Sequence, residues 1–174
     1  ELSASSLCYT SGTTGNPTGV LYSHRSTVLH SYAICMPDSL NISARDIMLP
    51  VVPMFHVNAW GTPYAAAMVG CTLVLPVHLI DTFKVSVALG VPTIWQGLIN
   101  VALQTGTTLE SLKRNVVGGS ACPPAMLKIF KEKFDCETIH AWGMTETSPL
   151  GSSCQFKAKH QYLSDEEKLK IRLS

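Results

Sequence analysis

The apolar residues of this chain fall in short blocks, each closed by glycine or proline. Leu7–Thr10 runs into a glycine loop, Ile47–Val52 stops at Pro53, and Thr72–Leu75 stops at Pro76. Val85–Leu89 is followed by Gly90, Asn115–Val117 by Gly118-Gly119, and Thr138–Trp142 by Gly143. Blocks this short and this continuously apolar, bounded by turn formers, predict buried strands. Longer stretches between them carry helical spacing: residues 59–69, Thr93–Gln104, Pro123–Phe134 and Leu163–Leu173. In Pro123–Phe134 the prolines suit a first turn, and Met126, Leu127, Phe130 and Phe134 fall on one face. The last stretch has Ser164 placed as an N-cap, acids early and bases late, which is the polarity of a helix. Strands alternating with helices predict an α/β fold, a mostly parallel sheet flanked by helices. In such sheets ligands sit beyond the carboxyl ends of the strands, so the chemistry is sought in the loops that follow them.

Composition narrows the classes. The 174 residues are 46% hydrophobic and only 14% charged, which suits fully buried strands or packing against further chain. The net charge is +1, and no run of lysine and arginine could track a phosphate backbone, so nucleic acid is not an expected partner. No apolar run approaches the roughly 18 residues of a membrane span, and no transmembrane segment is predicted. No signal peptide opens the sequence as it stands, and a start at Glu1 just before a strand suggests a piece of a longer chain. The six cysteines are scattered without a CxxC pair; this predicts reduced thiols of a cytoplasmic protein rather than disulfides or a zinc site.

Four loops carry candidate chemistry. The first, Tyr9–Gly19, holds Thr10, Ser11, Thr13 and Thr14 among Gly12, Gly15 and Gly19. Glycines let backbone N–H groups approach a phosphate and hydroxyls add donors; the other reading is an ordinary flexible loop. It is not a Walker A loop, because Pro17 stands where that pattern needs glycine. The second, PMFHVNAWG (Pro53–Gly61), places His56 and Trp60 four apart, able to share a helix face; a packing histidine is the alternative. The third, GGSACPP (Gly118–Pro124), is a strand, two glycines and a helix start, suited to an anion or a base edge. A serine-hydrolase elbow needs glycine where Cys122 stands. The fourth, HAWGMTETSPLG (His140–Gly151), sets Glu146 among hydroxyls after a strand. Beside phosphates a lone carboxylate is a natural Mg²⁺ ligand; standing alone it is a solvated glutamate.

YTSGTTGNPTGV, with YSHRSTVLHS after it, resembles the signature loop of the adenylate-forming (AMP-binding) superfamily, which includes acyl-CoA synthetases, firefly-type luciferases and peptide-synthetase adenylation domains. The other three loops resemble that family's later motifs, and the likeness runs from about Ser6 to Gly151, fainter to the end. It implies ATP, Mg²⁺ and coenzyme A as co-substrates and cofactor, with a fatty acid, medium- or long-chain, as the acid activated to acyl-AMP and then acyl-CoA. By the same resemblance Thr10, Ser11, Gly12, Thr13, Thr14 and Gly15 meet phosphates, and Gly119, Ser120 and Ala121 contact adenine. Trp142, Gly143 and Met144 lie at the nucleotide, Thr145 touches the α-phosphate, and Glu146 holds Mg²⁺. His56 lies beside the carboxylate, Trp60 gates the acyl tunnel, and His56, Thr145 and Glu146 are the catalytic set.

The pattern breaks in places. Thr18 stands where the family has a phosphate-contacting lysine. Only 13 residues separate Pro76 from Gly90, where relatives fit a helix and a strand, so the crossover is expected to lack its helix or be rebuilt. The ribose-binding aspartate, the hinge and the C-terminal lid with its lysine lie beyond the matched region. Residues 1–174 are therefore expected to be part of the large AMP-binding domain without its lid, inactive alone. A nucleotide-binding remnant without turnover is the alternative. The oligomeric state stays open, a homodimer of the intact enzyme being one option.

Overall fold

A computed structural model describes residues 3–12, 15–75 and 80–173. The chain opens with a two-stranded antiparallel ribbon, β1 (Ala4–Thr10) and β2 (Thr18–Ser23), which runs directly into α1 (His24–Cys35). Then follow β3 (Ile47–Pro50), a single turn α2 (Val57–Trp60), α3 (Thr62–Val69) and β4 (Thr72–Leu73). The second half runs β5 (Val87–Gly90), α4 (Pro92–Thr105), β6 (Arg114–Val117), α5 (Pro124–Phe134) and β7 (Glu137–Gly143). After a 3₁₀ turn at Thr145–Thr147 come β8 (Leu150–Ser153), a second such turn and α6 (Asp165–Leu173).

Six strands form one sheet in the order β4-β3-β5-β6-β7-β8, parallel except for the antiparallel edge pair β7–β8. The expected α/β architecture is therefore what the chain adopts. Alternation along each strand explains its two cores. Leu49, Ala88 and Val117 face α4 and α5, packing with Trp95, Ile99, Met126 and Phe130. Met48, Val87, Leu89, Val116 and Ile139 face the other way, against Ile34 of α1 and Ala65 and Ala66 of α3. Side chains point to opposite faces with period two, so a strand buried on both faces must be apolar throughout. Trp95 is wholly buried because its indole N–H is shared by the carbonyls of Gly90 (3.1 Å) and Val116 (3.2 Å).

Strand β4 lies outside β3, whereas β5 lies on its other side, so the chain reverses direction across the sheet between them. Helix α3 covers one face, and α4 and α5 the other, as right-handed crossovers require. The short β4–β5 connection obeys the same rule. Among its described residues there is no helix; residues 80–84 form turns, and Ile80 and Val85 plug into the α4–α5 core. Over these described residues the chain runs as turns on the α4–α5 face.

Several expectations shift. The helix over 59–69 begins only at Thr62, and β4 is shorter than Thr72–Leu75. The elements β2, α1 and β8 were not read from the sequence. Helix α1 hides because its apolar and polar residues are mixed, with Val28, Leu29 and Tyr32 exposed. Its start is nonetheless capped: Ser23 Oγ accepts from Ser26 N–H at 3.1 Å. At α6 the expected cap is a full capping box. Glu167 N–H donates to Ser164 Oγ (3.3 Å) and Ser164 N–H donates to the Glu167 carboxylate (2.9 Å).

Candidate active site

Parallel strands end on one edge, and the loops leaving β3, β6 and β7 there meet the β1–β2 ribbon around a cavity of about 610 Å³. Thr10, Ser11, Gly12 and Thr18 come from the ribbon, His56, Val57 and Trp60 from the loop after β3, and Gly118 and Gly119 from the turn after β6. The loop after β7 contributes Trp142, Gly143, Met144, Thr145 and Glu146. All four candidate loops thus share one cavity. It has a polar side made by the ribbon hydroxyls, Thr145 and Glu146, and an apolar arm lined by Ile34, Leu40, Leu89, Val116 and Leu150.

Not every candidate reaches it. Gly15 is exposed outside the lining, as are Ser120 and Ala121, which follow the glycine pair but turn into solvent before α5 begins. Thr13 and Thr14 lie outside the described residues. Thr18 faces Thr10 across the ribbon and lines the cavity, so the position that resembles the family's lysine carries a neutral hydroxyl side chain into it.

Local chemistry explains how each loop is held. Gly12 has φ +67°, and a Cβ there would meet the Asn16 carbonyl oxygen at 2.2 Å, so the ribbon turn closes only with glycine. At Gly143 a Cβ would meet the Pro149 carbonyl oxygen at 1.9 Å. That closeness lets the loop fold back: Met144 N–H donates to Pro149 O (3.1 Å) and to Thr147 Oγ1 (2.9 Å), and the Thr147 hydroxyl donates to Pro149 O (2.7 Å). Glu146 is displayed on this turn, exposed, and no cation pairs with it among the described residues. Trp142 lies over bare Gly151, where a Cβ would touch its ring at 2.4 Å.

The loop after β3 is the most strained part of the site. Val57, Asn58, Ala59, Trp60 and Gly61 all have positive φ, between 48° and 71°, a left-handed helical turn. Each non-glycine residue there costs about 1–2 kcal/mol, so outside contacts must hold it. Asn58 Nδ2 donates to Ser6 Oγ on β1 (2.9 Å), and Thr62 Oγ1 donates to the Ala59 carbonyl (2.8 Å). Val57 packs with Cys8 and Tyr22 of the ribbon. His56 and Trp60 do not share a right-handed helix face as the spacing had suggested, because the turn between them has the opposite hand. Trp60 instead lies on the glycine pair: a Cβ on Gly118 would sit 2.9 Å from its Cη2.

Two residues at the site escaped the sequence reading. Tyr22, on β2, donates its hydroxyl to the Thr145 carbonyl, tying the ribbon to the Glu146 loop. Its pKa is pushed up to about 12, first by burial and then by Cys8 and Glu146, so it stays a donor. His30, on α1, lines the apolar arm. Both lie in the YSHRSTVLHS stretch, where the absence of a clear apolar period hid the side that faces inward.

Comparison with known proteins now decides the family. The model for AMP-binding enzymes matches residues 3–169. The chain belongs to the AMP-binding enzyme family. It is 60% identical over 183 positions to a medium-chain-fatty-acid–CoA ligase of Ectopseudomonas oleovorans, an alignment that covers all of this chain and 34% of that protein. It is 59% identical over 181 positions to a 3-methylmercaptopropionyl-CoA ligase of Ruegeria pomeroyi, covering 99% of this chain and 34% of the relative. Among solved structures, an O-succinylbenzoate coenzyme A synthetase from Bacillus subtilis, in complex with ATP and magnesium ion, superposes with a TM-score of 0.73. It is 26% identical, and the match covers 89% of this chain and 33% of that one. The AMP-binding chain thus spans about a third of the length of the curated relatives it matches. Both of those alignments run longer than its 174 residues, so this AMP-binding chain is shortened within the matched region. No helix among its described residues is long and apolar enough to cross a membrane.

Proposed function

We propose that this chain is the nucleotide- and acyl-binding part of an ATP-dependent acid–CoA ligase whose acid is a medium- or long-chain fatty acid. The observation that carries the reading is that one cavity is lined both by the ribbon hydroxyls, Thr145 and Glu146 and by Trp60 with the apolar Ile34, Leu40, Leu89, Val116 and Leu150. Thr10, Ser11 and Gly12, together with Thr13 and Thr14, would offer hydroxyl and N–H donors to phosphates. Trp142 would stack on adenine against Gly143 and Met144, with Gly119 at its edge. Thr145 would donate to the α-phosphate, and His56 would orient the substrate carboxylate for attack on that phosphorus.

Glu146 fits Mg²⁺. It is an exposed carboxylate on a turn at the polar side, and no group of three metal-ligating side chains occurs among the described residues. Mg²⁺ takes one or two carboxylates, waters and substrate phosphates rather than a cage of side chains. When bound there it would neutralise charge on the phosphates. The chain's own part in the reaction is positioning: loop donors fix the phosphates and the apolar arm fixes the alkyl chain, so that oxygen and phosphorus meet in line. Acyl-AMP would then pass its acyl group to the thiol of coenzyme A.

Turnover is expected to need the part of the large domain and the lid that lie outside this chain, in a cytoplasmic enzyme whose oligomeric state stays open. The purified chain should bind ATP with Mg²⁺, lose most of the Mg²⁺-dependent part on Glu146→Gln, and release pyrophosphate only at background. Titration calorimetry and a pyrophosphate assay read both. Robust ATP- and CoA-dependent thioester formation by the chain alone would refute the fragment reading. A chain-length series on an enzyme completed with a relative's flanking segments, wild type against Trp60→Ala, tests the acid. Highest activity on acetate or benzoate, or an unaltered profile in Trp60→Ala, excludes the fatty-acid assignment. Thr18 in the cavity wall favours a second reading, a nucleotide-binding remnant, which predicts ATP binding but no adenylation in that completed enzyme.

A further inference from the structure

The turn that carries Glu146 is tied mostly to itself. Thr147 N–H donates to the Met144 carbonyl (3.0 Å), Ser148 N–H reaches the Thr145 carbonyl at 3.5 Å, and Met144 and Thr147 both donate to Pro149 O. Among the described hydrogen bonds of residues 144–149, the bond from Tyr22 to the Thr145 carbonyl is the one that comes from outside the loop. That carbonyl belongs to the peptide joining Thr145 to Glu146. The Ser148 bond to it is stretched, so the Tyr22 hydroxyl is its firm partner.

Tyr22 is itself held fast. It is 6% exposed, and its ring packs with Cys8 and Val57. It shares β2 with Thr18, which lines the cavity opposite Thr10. One ribbon therefore carries both the cavity hydroxyls and the phenol that holds the Glu146 turn. The metal makes this register matter. Mg²⁺ demands near-ideal octahedral geometry, with oxygens at about 2.0–2.1 Å. A carboxylate on one loop and phosphates held by another must therefore keep a fixed separation, to within about 0.5 Å. Bonds inside residues 144–149 cannot set that separation, because they do not locate the turn against a strand 123 positions away. The phenol can.

We propose that Tyr22 is a positioning residue for metal-dependent nucleotide binding: it sets the distance from the hydroxyl ribbon to the Glu146 carboxylate, and with it the gain in ATP affinity that Mg²⁺ brings. This rests on the reading of Glu146 as the Mg²⁺ ligand. Tyr22 acts through that residue, from a place outside the cavity lining.

The test titrates the full 174-residue chain with ATP, with and without Mg²⁺, in a calorimeter. Tyr22→Phe keeps the packed ring and deletes the hydroxyl. It should cut the Mg²⁺-dependent gain by about three- to ten-fold, the range of one lost hydrogen bond, and leave Mg²⁺-free ATP binding within about two-fold of wild type. In a Glu146→Gln background the same change should have no further effect on the gain, because the two residues act as one unit. Fluorotyrosine placed at position 22 of the otherwise unaltered chain gives a readout that survives even if Tyr22→Phe fails to fold. Its fluorine resonance should move when Mg²⁺ joins the ATP complex and stay still with Mg²⁺ alone. If Tyr22→Phe lowers Tm but keeps the wild-type gain, Tyr22 is a packing residue and the inference is overturned. It is also overturned if Mg²⁺-free binding falls as far as Mg²⁺-bound binding, if the losses from Tyr22→Phe and Glu146→Gln add, or if the resonance ignores Mg²⁺ in the ATP complex. In each of these cases a gain that Glu146→Gln removes leaves the metal assignment standing. If Mg²⁺ brings wild type no gain, or Glu146→Gln leaves the gain intact, the assignment of Glu146 itself fails and takes this inference with it.

Discussion

Adding a methyl group at Gly118 should separate the two loops that meet there. In Gly118→Ala the new Cβ would sit 2.9 Å from Trp60 Cη2, 3.2 Å from Cζ3 and 3.1 Å from the Ala141 carbonyl oxygen. Gly118 is not in the left-handed region, so the cost is crowding rather than backbone strain. The Ala141 contact is to backbone of β7 and cannot move, whereas the indole can swing away. Overpacking of this kind costs typically 1–3 kcal/mol. For a chain of this size each kcal/mol lowers Tm by about 2–4 °C, so a fall of roughly 2–12 °C is expected. The indole should leave the glycine pair, exposing the apolar arm and changing Trp60 fluorescence. Combining it with Trp60→Ala isolates the contact. With the ring gone only the carbonyl clash remains, so the double variant should be less destabilised than the sum of the singles by about 1 kcal/mol or more. Denaturant melts of the four proteins measure the cycle. Additive effects, or an unchanged fluorescence spectrum in Gly118→Ala, would refute the idea that Trp60 rests on this turn.

Three further outcomes follow from other contacts. Asp46 is buried against Arg114 at the opposite edge of the sheet, with Ser43 and Ser86 also donating to it; burial raises its pKa, but the Arg114 and serine hydrogen bonds outweigh this and hold it below the usual range. Its stabilisation is therefore complete above the unfolded carboxylate value, about 3.9, and is lost as pH falls through the lower folded value. Asp46→Asn should cost about 3–5 kcal/mol near neutral pH and flatten the acid limb of a melt series, and an unaltered limb would disprove the linkage. Asn58→Ala removes the bond to Ser6 and a residue tolerant of positive φ, so a loss of about 1–2 kcal/mol is expected by denaturant melt. Thr18→Lys should tighten ATP binding by roughly ten-fold through a charge-assisted bond, with a steeper salt dependence in calorimetry; no change would show that the position does not meet the phosphates.

What the sequence by itself determined was the sheet, most of the helices and the loops that bear the chemistry. Strands β3, β5 and β6 are buried along nearly their whole length, so their blocks are largely apolar and end where glycine or proline must turn the chain, whereas β7 is buried only at Thr138 and Ile139. Helices α4, α5 and α6 carry their period or their caps in the sequence. Because parallel strands place all their carboxyl ends on one edge, the motif loops could be expected to meet. Tertiary structure alone decided the rest. The left-handed turn at Val57–Gly61 is disfavoured locally and stands only because Ser6, Cys8 and Tyr22 hold it from a distant ribbon, so no local pattern could announce it. Ser120 and Ala121 share a motif with Gly119, yet they turn away from the cavity, which only the path into α5 determines. His30 and Tyr22 sit among mixed polar and apolar residues. Their importance arises from what α1 and the ribbon are packed against, a property of pairs of segments far apart in the chain rather than of either one.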